Sequence, residues 1–476
     1  MAVPQLSNTT KLWYGLGQAA EGIKSTSFAA FLLFYYTQVL GLSGTAVGIV
    51  IFIALLCDAI TDPMAGMLSD RLQSRWGRRH PFMYAAALPL AIFYYFLFTP
   101  PEGLSQIQLA LWLLLFTLLA RTAMTAYSVP HLSLGAELSS DYDDRTSIVA
   151  VRSFMGLGGG IVAGLVGLGY FMRSTPEYPN GQLNPEAYPA FAFVFAIAIF
   201  VTITASGIGT HSRIRYLPAG GSSAQVGLLE ELRYSLHNHS FRALFIGATI
   251  FAVIIGVQGV LGLHMGTYFW QLDTRDIFHY TIAAGAGVLC GLPVWTAVAR
   301  RYDKKPTFLF GVIWFAAFAS LPPLFRVLDW LPEPGTRAYI GFVVSAGFLM
   351  AFGAAAASAT LGSMMADITD EDALITGRRR EGIYFGALSF SAKTATGLGQ
   401  LLGGVLVDTV GLTENVDVGG ISPQIVTDLG LIYAVGTAVL ASASIYFLAR
   451  YRLDRERHAE IRSALEERDT EYLRSL

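Results

Sequence analysis

The stretch CDAITDPMAGMLSDRLQSRWGRRHP, Cys57 to Pro81, decides the fold. It closes a long apolar run that begins near residue 44, carries Asp58 and Asp62 inside that run, and then collects Arg71, Arg75, Arg78 and Arg79 within nine positions. About 20 apolar residues cross a hydrocarbon core of about 30 Å, and lysine and arginine gather in the connections on the cytoplasmic side. The stretch therefore reads as a membrane-spanning helix with two acids in it, followed by a cytoplasmic connection.

The rest of the chain follows this pattern. Of its 476 residues, 53% are hydrophobic and 14% charged, whereas soluble domains carry about 25% charged residues. Twelve apolar segments are predicted: 12–40, 44–69, 81–99, 107–136, 145–171, 188–211, 241–271, 277–299, 306–328, 336–366, 382–412 and 424–450. Basic clusters fall in the even connections, with Arg300, Arg301, Lys304 and Lys305 in the eighth and Arg378, Arg379 and Arg380 in the tenth. Even connections and both termini are therefore expected in the cytoplasm, and the protein in the cell (inner) membrane.

Two motif pairs recur about half a chain apart: Asp70–Phe82 against Arg300–Phe308, and Glu137–Arg145 against Ala366–Arg380. Repeated halves are a common transporter architecture. The expected fold is an all-α membrane protein of twelve transmembrane helices in two pseudo-symmetric six-helix bundles. These take residues 1–215 and 241–450, joined by a Gly- and Ser-rich cytoplasmic loop at 216–240 and followed by a cytoplasmic tail at 451–476. Ile461 and Leu465 give that tail one apolar stripe, as in a solvated amphipathic helix. A net charge of −2 argues against nucleic acid. Cys57 and Cys290, both in apolar segments, offer neither a disulfide framework nor a zinc cluster. No removable signal peptide is read at the start.

An ionisable side chain at mid-bilayer costs about 2.5 to 3.5 kcal/mol on insertion scales, so each one asks for a reason. Glu21, Lys24, Asp58, Asp62, Arg121, Arg152 and Lys393 fall in apolar segments, and His131 and His264 add polarity. Asp58 and Asp62 are four apart and so share a helix face. Two carboxylates held together in low dielectric attract a proton or a hard, oxygen-seeking cation such as Na⁺. Thr61 and Thr125 can add hydroxyl oxygens, and Lys393 can neutralise the pair. Gly156, Gly160 and Gly164, spaced by four, are read as close-packing positions.

The run from Gly66 through Asp70-Arg71 to Gly77-Arg78-Arg79 resembles the loop motif of the major facilitator superfamily. KLWYGLG from Lys11, YYTQVLGLS from Tyr35, DAITDPMAG from Asp58, MADITD from Met365 and Lys393 resemble the glycoside-pentoside-hexuronide:cation symporters, the family typified by melibiose permease. That resemblance implies a cation site at Asp58, Asp62, Thr61 and Thr125, with Lys393 coupling it to the other half. It places Arg152 at a substrate-contacting position. Gly22 stands where the melibiose type has a carboxylate, with Glu21 adjacent, and Ser128 and Leu132 stand where it has Asp and Trp, which points away from galactosides bound in that manner. Glu21, Arg121, Ser128, His131 and Arg152 are the residues expected to meet the substrate. Gly66, Asp70, Arg71, Arg75, Arg78 and Arg79 are expected to form a cytoplasmic gate whose charge network holds the outward-open state.

The expected function is Na⁺- or H⁺-coupled symport of a sugar or glycoside by alternating access, without an organic cofactor. The alternative is cation-coupled carriage of a lysophospholipid or another amphipathic molecule. An enzyme is not expected, since neither a His-Glu-x-x-His helix nor a Gly-x-Ser-x-Gly elbow occurs. The expected partners are substrate, coupling cation and membrane lipid, with the chain acting as a monomer.

Overall fold

A computed structural model describes residues 6–139, 141–217, 236–377, 381–412 and 418–475. Most of the predicted loop at 216–240, and all of Arg378, Arg379 and Arg380, lie outside the described residues.

The first span is not one regular helix. It consists of α1 (Asn8–Leu16), α2 (Gln18–Thr26) and two wider π-turn segments at Ser27–Leu32 and Tyr35–Val39. The chain breaks step at Gly17, where an added Cβ would stand 1.9 Å from the Tyr127 hydroxyl, so no larger residue fits. Five helices complete the first half: α3 (Gly44–Arg71), α4 (His80–Leu97), α5 (Gln106–Glu137), α6 (Tyr142–Val166) and α7 (Ala187–His211). The second half holds α8 (His239–His264), α9 (Thr274–Tyr302), α10 (Lys304–Val327), α11 (Arg337–Thr376), α12 (Glu381–Thr409) and α13 (Pro423–Leu448), and the tail is α14 (Arg455–Ser475).

Ten helices among the described residues are long and apolar enough to cross a membrane. The interrupted first span and α12 bring the total to the expected twelve. Polar residues outside the apolar runs start these helices: Ser43, Asp141, Asn238, Asp273 and Thr336 each accept a backbone N–H of the first turn. Ser105 and Gln108 form a reciprocal capping box on α5.

One boundary differs from the sequence reading. The tenth span does not stop near 366 but runs as helix to Thr376, ending on Gly377 in a left-handed conformation. Acidic residues are not helix breakers, and Asp367, Asp370 and Asp372 ride on a helical end whose partners are described below.

Within each half the helices pack on one another, α3 on α5 and α4 on α7 in the first, α9 on α11 and α8 on α12 in the second. Between halves, α3 meets α12, α6 meets α9, and the Ser27–Leu32 turns meet α8. The expected tail helix is present: Ile461 and Leu465 are buried against the second half and its other face is largely exposed.

Candidate cation and substrate site

The two aspartates of α3 meet a matching pair on α5. Asp58 bonds the Arg121 guanidinium, and Asp62 accepts a hydrogen bond from Thr125 Oγ1 at 2.8 Å. Both pairs are 63 residues apart, because the second and fourth spans run in the same direction and a four-residue step repeats one helical turn on each. The result is a two-rung ladder between the second and fourth spans. Lys393 reaches Asp62 from α12, on the other half, and bonds its second oxygen, Oδ2. Asp62 is therefore held by both halves at once.

The donor set fits a hard cation. The Thr61 hydroxyl oxygen is buried and without a hydrogen-bond partner among the described residues, a costly state for a polar atom unless something else is to be bound there. Thr125 spends its proton on Asp62 and keeps lone pairs. Two carboxylates and two hydroxyls are oxygen donors of the type a hard cation prefers, and here the carboxylates hold the Arg121 and Lys393 cations. Among the described residues no group of three or more His, Cys, Asp or Glu forms a denser metal centre.

The residues expected to meet the substrate separate in the structure. Glu21 pairs with Lys24 at 2.9 Å and accepts from Ser25 at 3.0 Å, forming a polar patch on the first span. Gly22 beside it is fixed by packing: an added Cβ would lie 1.9 Å from the Gly156 carbonyl, so the carboxylate of the melibiose type has no room at that position. Arg152 is half-buried near Tyr14 and His131. Ser128 is half-buried on α5.

Two of these expectations are corrected. Arg121 does not project toward a substrate, since its guanidinium is committed to Asp58. His131 is fully buried, stacked between Tyr14 and Tyr127, with Nε2 bonded to the Tyr14 carbonyl at 2.9 Å. The break after Leu16 explains the histidine. It leaves the Tyr14 carbonyl with the Gly17 N–H three residues on, at 3.3 Å, in place of the usual donor four on, and His131 and Ser206 supply further donors.

The gate residues divide in a similar way. Arg79 is the buried centre, bonded to Glu137 through Nε at 3.1 Å and Nη2 at 2.7 Å, and to Asp70 at 2.6 Å. Arg78 adds a second contact to Glu137 at 2.9 Å. Gly66 contributes its carbonyl to Ser69, whose hydroxyl in turn receives Arg79. Arg71 and Arg75 are exposed and join no ion pair among the described residues; Arg75 lies over the Trp76 ring. They leave the expected network, and Glu137, which the sequence reading did not assign to it, enters. The second half carries a counterpart in Lys304 and Asp367, 2.7 Å apart, with His458 of the tail 3.4 Å from the same carboxylate.

A family model described as MFS/sugar transport protein matches residues 13–455. An uncharacterized symporter of Synechocystis is 25% identical over 98% of this chain and 98% of its own length. A putative glycoside/cation symporter of Escherichia coli is 23% identical over 94% of this chain and 93% of its own. Among solved structures, the nucleoside transporter NupG superposes with a TM-score of 0.62 over 93% of this chain and 99% of that one, at 14% identity, which speaks to the fold alone.

Proposed function

The chain belongs to the MFS/sugar transport protein family, and on that premise we propose that it is a cation-coupled symporter of a sugar or glycoside, with Asp58 and Asp62 as the seat of the ion. The observation that carries the reading is the double engagement of Asp62, by Thr125 within its own half and by Lys393 from the other. A Na⁺ ion at the pair, drawn by Asp58, Asp62, Thr61 and Thr125, competes with the Lys393 ammonium for the same carboxylate. A proton on Asp62 does the same by removing its charge. Either event releases a bond between the halves, so the charge state of Asp62 biases how they sit. Substrate bound to one arrangement must then stabilise the ion that favours it, because coupling free energies are reciprocal.

Arg121 has a supporting role in this reading. Its guanidinium occupies the Asp58 carboxylate within the first half, while Asp62 is the acid that reaches the other half. Substrate recognition in this reading falls to Glu21, Arg152 and Ser128, all half-buried on the first half. The basic even connections support a reading in which both termini are cytoplasmic and the protein works as a monomer in the cell membrane. The charge network around Arg79 acts at the cytoplasmic end.

Asp58→Asn in proteoliposomes tests the coupling. Accumulation of a radiolabelled glycoside driven by an imposed Na⁺ gradient, or by a pH gradient in a parallel arm, is expected to be lost, while exchange of labelled for unlabelled substrate continues. Concentrative uptake at the unmodified level in either arm would remove the ion from this pair.

A further inference from the structure

The geometry points to a binding site for the headgroup of an anionic phospholipid at the even end of the second half, sharing no residue with the Asp58–Asp62 ladder. A cavity of about 490 Å³ opens there between the start of α8, the turn from α9 into α10, and the link that joins α13 to the tail helix. Lys305, Arg450 and Arg452 line it, together with Asp303 and Asp454. Both acids are engaged as caps. Asp303 accepts the Lys304 and Arg455 N–H groups at 2.6 and 2.9 Å, and Asp454 accepts the Arg457 N–H at 2.8 Å. Lys305 and Arg452 join no ion pair among the described residues. Arg450 bonds the Tyr446 hydroxyl and lies over that ring, its guanidinium carbon 3.6 Å from the ring centre. His239, the first residue of α8, adds a buried Nδ1 without a hydrogen-bond partner among the described residues. Three cations against two acids, with the histidine neutral, leave one positive charge over, which a single phosphodiester neutralises.

The surroundings select a lipid over a soluble phosphate. α10 packs on α11 and α13, and α13 packs on α8, so the main contacts of both stay within the second half. Each turns an apolar face outward, with Phe310 and Ile313 on α10 and Val435 and Val439 on α13 about half exposed. Outward apolar surface on a membrane helix meets acyl chains. Both faces run into the cavity. Pro306 stands four residues before Phe310, and Ala449 three after the exposed Tyr446, so each shares the outward face of its helix, and both line the cavity. Tyr302, also exposed, lies at the same rim, as tyrosines do at the level of lipid headgroups. Basic pockets between membrane helices on the cytoplasmic side bind acidic headgroups. A phosphatidylcholine brings its own cation to the same place and gains less.

Native mass spectrometry of the full-length protein, released from detergent holding equimolar dioleoyl phosphatidylglycerol and dioleoyl phosphatidylcholine, tests the site. The unmodified protein is expected to retain phosphatidylglycerol in about tenfold preference, and each cation removed to lower that preference about fivefold. Lys305→Gln with Arg452→Gln is therefore expected to bring the ratio close to one. Arg452→Gln alone, on the exposed link, is the second variant should the pair fail to fold, and is expected to move the ratio in the same direction. Arg71→Gln with Arg75→Gln removes the same charge from exposed positions outside the cavity and is expected to leave the preference unchanged.

Equal retention of the two lipids by the unmodified protein would overturn the inference, as would an undiminished preference in the cavity variants. An equal loss in the Arg71 and Arg75 control would also overturn it, by assigning the preference to surface charge at large. Displacement of phosphatidylglycerol by glycerol 3-phosphate at the same concentration would do so by making the cavity a site for a soluble anion. The symport reading stands apart from all of these outcomes, since the cavity holds none of its residues.

Discussion

The interface between the halves has two ends, and they are built differently. At the end of the odd connections the halves are stitched together. Asp408 of α12 accepts from Ser43 Oγ at 2.7 Å, Gly44 N–H at 2.7 Å and Thr45 N–H at 2.8 Å, gripping the start of α3. Gln182 donates to Thr267 and accepts from Thr274, and Thr37 bonds His264. At the end of the even connections the ion pairs are stronger, yet each closes within its own half: Arg79 with Glu137, Lys304 with Asp367. The hydrogen bonds seen between described residues of the two halves lie between the Asp62–Lys393 level and the odd end. The ion pairs of the even end thus stiffen each half, whereas the Asp62–Lys393 pair, the Asp408 cap and neutral hydrogen bonds join the halves from mid-span to the odd end. If the even end faces the cytoplasm, this arrangement is the inward-facing one.

The sharpest way to break the comparison is at Glu137. Its carboxylate takes both Arg78 and Arg79, and Arg79 is only 5% exposed. Removing one partner of a buried pair costs about 3 to 5 kcal/mol because the other charge is left in place. Glu137→Gln is therefore expected to lower thermal stability in detergent by several degrees, and to leave distances across the odd end unchanged. A stable variant with an opened odd end would mean that the network does bridge the halves.

Much of this was legible from residues alone. Spacing of four put Asp58 and Asp62 on one face, and an apolar segment holding Lys393 made it a natural partner. The repeated motifs anticipated the matched clasps, because Arg79 and Lys304, and Glu137 and Asp367, fall in the two motif pairs. What was not legible depended on which helices touch. Arg121 looked available to a substrate until α5 set it one rung above Thr125. His131 looked functional until the break at Gly17 exposed a carbonyl for it to satisfy. Asp408 gave no periodic signal, since its task is to cap a helix 364 residues away in sequence.

A smaller effect is expected at the stitched end. Asp408→Asn keeps the shape but removes the charge, and its amide turns an N–H₂ toward donors that need an acceptor. Hydrogen bonds to a charged group contribute about 1.5 to 3 kcal/mol, so the populations should move roughly ten- to a hundredfold toward the state in which the odd end opens. Spin labels on the first and eleventh connections would read this as a longer distance distribution. An unchanged distribution would assign closure to Gln182, Thr267 and Thr274 instead.

The smallest effect is expected at Arg75, and it separates two ideas of the loop motif. If every arginine of the motif acted as part of one network, Arg75→Ala would resemble the loss of Arg79. Arg75 is exposed, however, and among the described residues it forms no ion pair; it lies over the Trp76 ring, with the guanidinium carbon 5.5 Å from the ring centre. A cation over an aromatic ring at an exposed site contributes little, and screening by salt reduces it further. Stability and gradient-driven uptake of Arg75→Ala should therefore match those of the unmodified protein at 0.15 M salt. A clear loss of uptake with stability intact would give Arg75 a partner in the opposite arrangement, at an even end that has closed, and the two ends would then exchange roles during the cycle.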